Sequence, residues 1–273
     1  MSTTGTLTSA DFTTPGRRAH TPNPSRTHMD STPGRSAPAA QPPSTLSRVL
    51  NVVRVQYVNT YIFVWVPLMV LGGSLVISLA IYAMIGADEP MYGGGGQAPL
   101  WYFLVAGIQA MTLTFPFSQA LSLTRREFFL GTMLAAALSA AGMALVYVLL
   151  GLLEQATDGY GIHGYVTYLP WVWESGWASA AVLVFALVMF FFVIGFWFAT
   201  LYRQFGTVVL TTLLIGLAVL LVAAAFVITR MEAWGDVVSW VAQLGPFGAA
   251  GVIGATTVVL GIGSLLSLRR ATP

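Results

Sequence analysis

Six long apolar stretches constrain this chain more than any other feature: residues 64–85, 99–121, 128–153, 178–202, 206–229 and 247–268. None contains an Asp, Glu, Arg or His, and their lengths run from 22 to 26 residues. About 20 helical residues cross the ~30 Å hydrocarbon core of a bilayer, so each stretch is long enough to span it. Strict period-two alternation is absent, so they read as helices and not as barrel strands. Only 8% of the chain is charged, against about 25% in soluble domains, and so few charges cannot clothe a water-exposed surface. The expected fold is an all-α integral membrane protein with six transmembrane helices.

The sparse charges orient it. If the N-terminus is cytoplasmic, the inner segments are the N-terminal tail, the 122–127 loop, the 203–205 turn and the C-terminus. They hold 11 of the 12 basic residues, leaving Arg230 alone outside. Seven of the ten acids fall outside: Asp88, Glu89, Glu154, Asp158, Glu174, Glu232 and Asp236. Basic residues near helix ends mark the cytoplasmic side, which predicts an N-in, C-in topology. Trp101, Trp171, Trp173 and Trp177 stand at span ends, where indole rings anchor at headgroup level.

Residues 1–45 are of another kind. Pro, Ser and Thr supply 23 of these 45 positions, without apolar periodicity. Such a segment buries too little to offset its ordering entropy, so it reads as a disordered cytoplasmic tail, with no apolar core of a secretory signal. Residues 46–273 form the six-span domain. Ahead of the first span, Leu46, Val49, Leu50, Val53 and Tyr57 make a helical stripe, and Arg48 and Arg54 fall off it; this predicts an interfacial helix over 46–58. A second stripe, Trp234, Val237, Val238, Val241 and Leu244, predicts an outer amphipathic helix between spans five and six.

What is missing excludes chemistry. All 12 basic residues are arginine, so no P-loop lysine and no Schiff-base lysine exist, and there is no cysteine. The histidines are His20, His28 and His163, none within a span. Ion-coupled carriers and intramembrane enzymes keep ionisable groups at membrane depth; these spans have none. The chain is therefore expected not to be an enzyme and to hold no cofactor or metal. Gly159, Gly161 and Gly164 spell G-x-G-x-x-G, but the strand–helix context of a dinucleotide site is lacking. They read as a flexible outer loop, as does Gly93 to Gly96.

Milder polar residues remain. Gln109, Thr112, Pro116 and Gln119 share one stripe of span two. They either bond between helices or line a substrate path, and Pro116 loosens the helix end. Small residues in span three (Gly131, Ala135, Ala136, Ser139, Ala140 and Gly142) and in span six (Ala250, Gly251, Gly254 and Ala255) permit close helix approach, within the bundle or across a dimer seam.

The passage from Ala120 to Thr132, A-L-S-L-T-R-R-E-F-F-L-G-T, resembles the membrane subunits of ABC-2 type exporters, whose actinobacterial members carry similar A-L-x-x-T-R-R-x-F-x-x-G-T sequences. Leu201-Tyr202-Arg203-Gln204-Phe205-Gly206 is similar to their turn between spans four and five. The resemblance covers roughly residues 46–270. It implies that Thr124, Arg125, Arg126, Glu127 and Phe128 form a coupling loop docked on a separate cytoplasmic ABC ATPase, which binds ATP-Mg. It also implies a second permease copy or paralogue, export, and a place in the bacterial plasma membrane; no nucleic-acid partner is expected. In that docking, Arg125 and Arg126 are expected to pair with acids of the partner and Phe128 to fill an apolar pocket on it. The connection 154–177 is longer than is usual in that family. A non-transporting interaction or immunity protein is the alternative from another class, and it needs no ATPase.

Overall fold

A computed structural model of the chain describes residue 53 and residues 61–86, 89–116 and 124–270. The tail, nearly all of the 46–58 helix, and Gln119 lie outside the described residues. After a π turn at Tyr61–Trp65 comes α1 (Val66–Ile85), then a short strand β1 (Met91–Tyr92) and a 3-10 turn at Gly94–Gln97. Next are α2 (Ala98–Gln109), a second π turn at Ala110–Thr114, and α3 (Arg125–Ala156). A third π turn at Gly159–His163 leads into β2 (Gly164–Tyr165), followed by α4 (Trp177–Arg230) and α5 (Trp234–Arg270).

Among the described residues the fold is all-α but for one two-residue parallel pairing of β1 with β2. Four helices among the described residues are long and apolar enough to cross a membrane: Tyr61–Ile85, Arg125–Ala156, Trp177–Arg230 and Trp234–Ser267. The six expected stretches are distributed over these and α2. The fourth and fifth fall in α4, whose continuity is broken at Gly206 (φ 77°, ψ −179°). The expected amphipathic segment from Trp234 is helical and ends at Gly245 (φ 63°, ψ 174°), just before Pro246. Positive φ is nearly free for glycine alone, and proline cannot donate to the helix ladder, so both breaks are written in residue type. The second stretch is not one regular helix, because α2 widens into the π turn as it nears Pro116.

The core lies where α2, α3 and the first half of α4 meet. Phe103, Phe128, Val188, Phe192 and Phe196 are fully buried, with Ala136 and Ala140 in the same cluster. Phe128 stacks on Phe196 at 6.5 Å, and Phe129 meets the same ring edge-on at 5.9 Å. Ala136 and Ala140 belong to this core and Ala135 and Ser139 are buried as well, so in span three small residues serve packing within the bundle. Gly107 and Gly195 make the tightest crossing. A Cβ on Gly107 would collide with the Phe192 carbonyl, and one on Gly195 with the Leu104 carbonyl. Backbones this close exclude any larger residue. In α5, Ala250 packs on Leu183 and Ala186, while Gly251 and Gly254 face open space.

The long connection after α3 is not a loose loop. With residues 89–97 it forms a folded cap over one end of the bundle. Tyr92 stacks on Tyr165 at 5.4 Å. A Cβ on Gly93 or Gly164 would strike the Tyr82 ring, so both glycines let the cap settle onto α1. Positive φ at Asp158, Gly159, Tyr160, Gly161 and His163 turns the chain back sharply. Of the G-x-G-x-x-G glycines, Gly159 and Gly161 sit in this reversal and Gly164 opens β2, while Gly94–Gln97 is a 3-10 turn. Trp173 also departs from its expected headgroup role. It is buried with Val148 and Ala180 against Gly151, whereas Trp101 and Trp177 stay exposed.

Candidate functional site

The helix α3 begins at the two arginines. Thr124 keeps extended backbone (φ −71°, ψ 149°), and its Oγ1 accepts the Glu127 N–H at 3.3 Å. The Glu127 carboxylate in return accepts the Thr124 N–H at 3.0 Å. This reciprocal capping box satisfies two donors that the helix start would otherwise leave unpaired. Arg125 and Arg126 thus occupy the first helical turn and not a loop. The macrodipole places partial positive charge there, so a cation costs stability instead of adding it. Arg125 is half-buried and Arg126 exposed.

Of the five residues expected to reach a partner, two turn inward. Glu127 is buried in the cap interaction, and Phe128 is fully buried, 5.2 Å from the Phe115 ring and stacked on Phe196. Phe128 cannot fill a pocket on another protein, because it already fills one in its own. Its aromatic character, read as a docking knob, is instead what fixes the helix start to α4. Arg125, Arg126 and Thr124 remain on the surface side of this anchored turn.

A residue read from sequence only as a topology signal proves structural here. Arg203 donates from Nη1 to the Met111 carbonyl at 3.3 Å, and its guanidinium lies 5.4 Å over the Phe115 ring. The π turn explains the need. The Phe115 N–H goes to the Ala110 carbonyl, one residue further back than in an α-helix. In that widened register the donor for Met111 would be residue 116, which is proline and has no N–H. Arg203 supplies the missing donor from α4. Beside it, Gln204 donates to the Ser267 carbonyl at 3.1 Å, and Thr200 lies 3.5 Å from Ser264, oxygen to oxygen. Arg125, Arg126 and Arg203 thereby gather at one end of the bundle with the C-terminal turns of α5. A proline five residues after a carbonyl inside an apolar run was the available signal.

Of the candidate path-lining residues, Gln109 and Thr112 are half-buried and Pro116 is exposed. Thr112 donates to the Ile108 carbonyl at 2.9 Å. It bonds within its own segment and not between helices, as threonine commonly does in apolar helices.

The opposite end carries the acids. Glu154, two residues from the C-terminus of α3, is fully buried. Its carboxylate accepts three consecutive backbone N–H groups: Val166 at 3.2 Å, Thr167 at 2.9 Å and Tyr168 at 2.7 Å. Such a nest replaces lost hydration with fixed dipoles. Nearby, the Tyr165 hydroxyl donates to Asp158 at 2.8 Å, and His163 Nδ1 lies 3.1 Å from the same carboxylate. The bond to Asp158 holds the Tyr165 proton and, with burial, pushes its pKa up to about 12. Burial, and the Glu154 charge after it, likewise raise that of Tyr160. Among the described residues no three or more His, Cys, Asp or Glu side chains gather as metal ligands. Comparison of the chain with protein-family models, with curated proteins and with solved structures finds no match.

Proposed function

We propose that the chain is the permease subunit of an ABC-2 type transporter, an exporter of the plasma membrane driven by a separate cytoplasmic ATPase. The observation that carries this reading is the Arg125–Arg126 pair. It sits in the first turn of a capped helix, where the macrodipole opposes it, yet the turn beneath is locked by Thr124, Glu127 and Phe128. A cationic surface that its own helix does not favour, held on a rigid base, suits an acidic partner.

In this reading the membrane is crossed six times. The 54 residues of α4 would reach about 80 Å at roughly 1.5 Å per residue, far more than one crossing needs, and Gly206 divides them into two. The segment from Ala98 through the π turn supplies another crossing. The arginine end is cytoplasmic, as the positive-inside rule requires, and the cap is outside. Force on the α3 start would pass through Phe128 to α4, and through Arg203 and Phe115 to the π turn, shifting helices between two access states. Two permease chains, identical or paralogous, would flank one substrate path.

Co-expression with the ATPase encoded beside the gene tests this. The complex is expected to co-purify and to hydrolyse ATP faster than the ATPase alone. The absence of any such neighbouring ATPase, together with failure to capture one from the native membrane, would overturn the reading.

A further inference from the structure

The first turns of α5 do not seal against the bundle. Between them and the connection that leads into α4 lies an open groove of about 330 Å³. One wall is the apolar stripe of the helix, Trp234, Val237, Val238 and Val241, with Ala242 beside it; the facing wall is Trp171. Trp171 packs from behind on the Leu183, Ala186 and Ala250 cluster, so that wall is fixed. The stripe itself stays between 36% and 64% exposed, so it is open to a guest. An engineered apolar cavity of ~150 Å³ takes a benzene molecule, and this groove offers about twice that volume. Its two indoles are of the kind that sits at headgroup level, where hydrocarbon meets water.

Charge gathers where the groove begins. Arg230 ends α4, and a tight turn joins it to Trp234: the Glu232 N–H donates to the Thr229 carbonyl and the Ala233 N–H to the Ile228 carbonyl, each at 3.1 Å. The Trp234 Nε1–H donates to Thr229 Oγ1 at 3.0 Å, which holds the indole back against the end of α4. Arg230 is exposed, and among the described residues no carboxylate pairs with it. Residues 230–236 also carry Glu232 and Asp236, both exposed, so one cation stands among two anions. Arginine matches phosphate geometry, while the two carboxylates disfavour a guest of net negative charge and attract an ammonium. The complementary occupant is therefore apolar along its length and ends in a head that bears both signs. A zwitterionic phospholipid has that form.

We propose that this groove holds one zwitterionic phospholipid, an acyl chain lying between Trp171 and the Trp234–Val241 stripe and the phosphate meeting Arg230. The site needs a bilayer but no ATPase, so lipid retention and ATPase capture can fail independently. The test titrates the purified full chain in detergent with dioleoyl phosphatidylethanolamine or dioleoyl phosphatidylglycerol and reads retained lipid by native mass spectrometry. Saturation at one phosphatidylethanolamine per chain is expected, with phosphatidylglycerol about threefold weaker, the scale of exposed charge interactions. Arg230→Gln should weaken phosphatidylethanolamine about tenfold, as for one charge-assisted hydrogen bond. Glu232→Gln with Asp236→Asn should remove the preference between the two lipids, and Ala242→Trp, which fills the groove, should abolish retention of both. Thermal melting checks each variant, and Val238→Trp replaces Ala242→Trp if the latter does not fold. No saturable retention, retention undiminished by filling, or retention of phosphatidylethanolamine unchanged in Arg230→Gln would each overturn the proposal. Loss of a dimer on filling, with lipid retention intact, would assign the groove to a second copy and overturn it equally.

Discussion

The two ends of α3 pose the same electrostatic problem with opposite sign. At its N-terminus the macrodipole favours an anion, yet Arg125 and Arg126 stand there; near its C-terminus it favours a cation, yet Glu154 is buried there. The solutions differ. Glu154 is enclosed, with three N–H groups of the chain itself as its partners. Arg126 is exposed, and the capping box beneath it stabilises the helix without covering it. A charge that the fold encloses serves the fold. A charge that the fold supports but leaves exposed, as it does Arg126, is available to something else.

The largest expected effect is at the enclosed end. Glu154→Leu leaves three N–H groups unpaired, two of them in buried bonds, and should destabilise the protein by about 3 kcal/mol. Thermal unfolding in nanodiscs should show the loss, together with faster proteolysis at residues 158–170. At the other end the capping box is worth less. Thr124→Ala should cost about 1 kcal/mol, and Thr124→Ser should restore most of it. Arg203→Ala should cost about 0.5–1 kcal/mol, since its cation–π contact and hydrogen bond sit at a half-open position. Hydrogen exchange should show that loss concentrated in residues 108–116. If Arg203→Ala instead weakened the cap, the division of the molecule into two independent ends would be wrong.

The cap also carries a pH dependence. Tyr165 donates to Asp158 only while protonated, and its folded pKa, about 12, lies above its ordinary value. A raised folded pKa means that this contribution is fully present below about pH 10 and is lost as pH rises towards 12. Spectrophotometric titration of wild type against Tyr165→Phe should lose one tyrosinate transition near pH 12. Loss of a transition near pH 10 instead would show that the bond does not form.

Much of the helical architecture was legible because apolar runs and their breaks are local properties. Gly206 and the Gly245–Pro246 pair end helices by backbone preference alone. The cap was not legible. Two-residue strands carry no periodicity, and Met91–Tyr92 meets Gly164–Tyr165 only through the long-range fold. Glu154 was readable as an acid at a span end, but its three partners lie 12 to 14 residues ahead in a segment with no distinguishing pattern. Phe128 shows a different limit. Its position in the coupling passage suggested an outward role, while the rings of Phe115 and Phe196, which claim it, are distant in sequence. Arg125 and Arg126 remain at the helix start, and there residue type and place together carry the argument.

The most direct test of that argument is the variant Arg126→Ala, measured for both unfolding temperature and ATPase capture. Removing this exposed cation from a helix N-terminus should leave stability unchanged or raise it by about 0.3–1 kcal/mol, while capture of the ATPase is weakened. A fall in unfolding temperature with ATPase capture intact would contradict the account, because Arg126 would then serve the fold and not a partner.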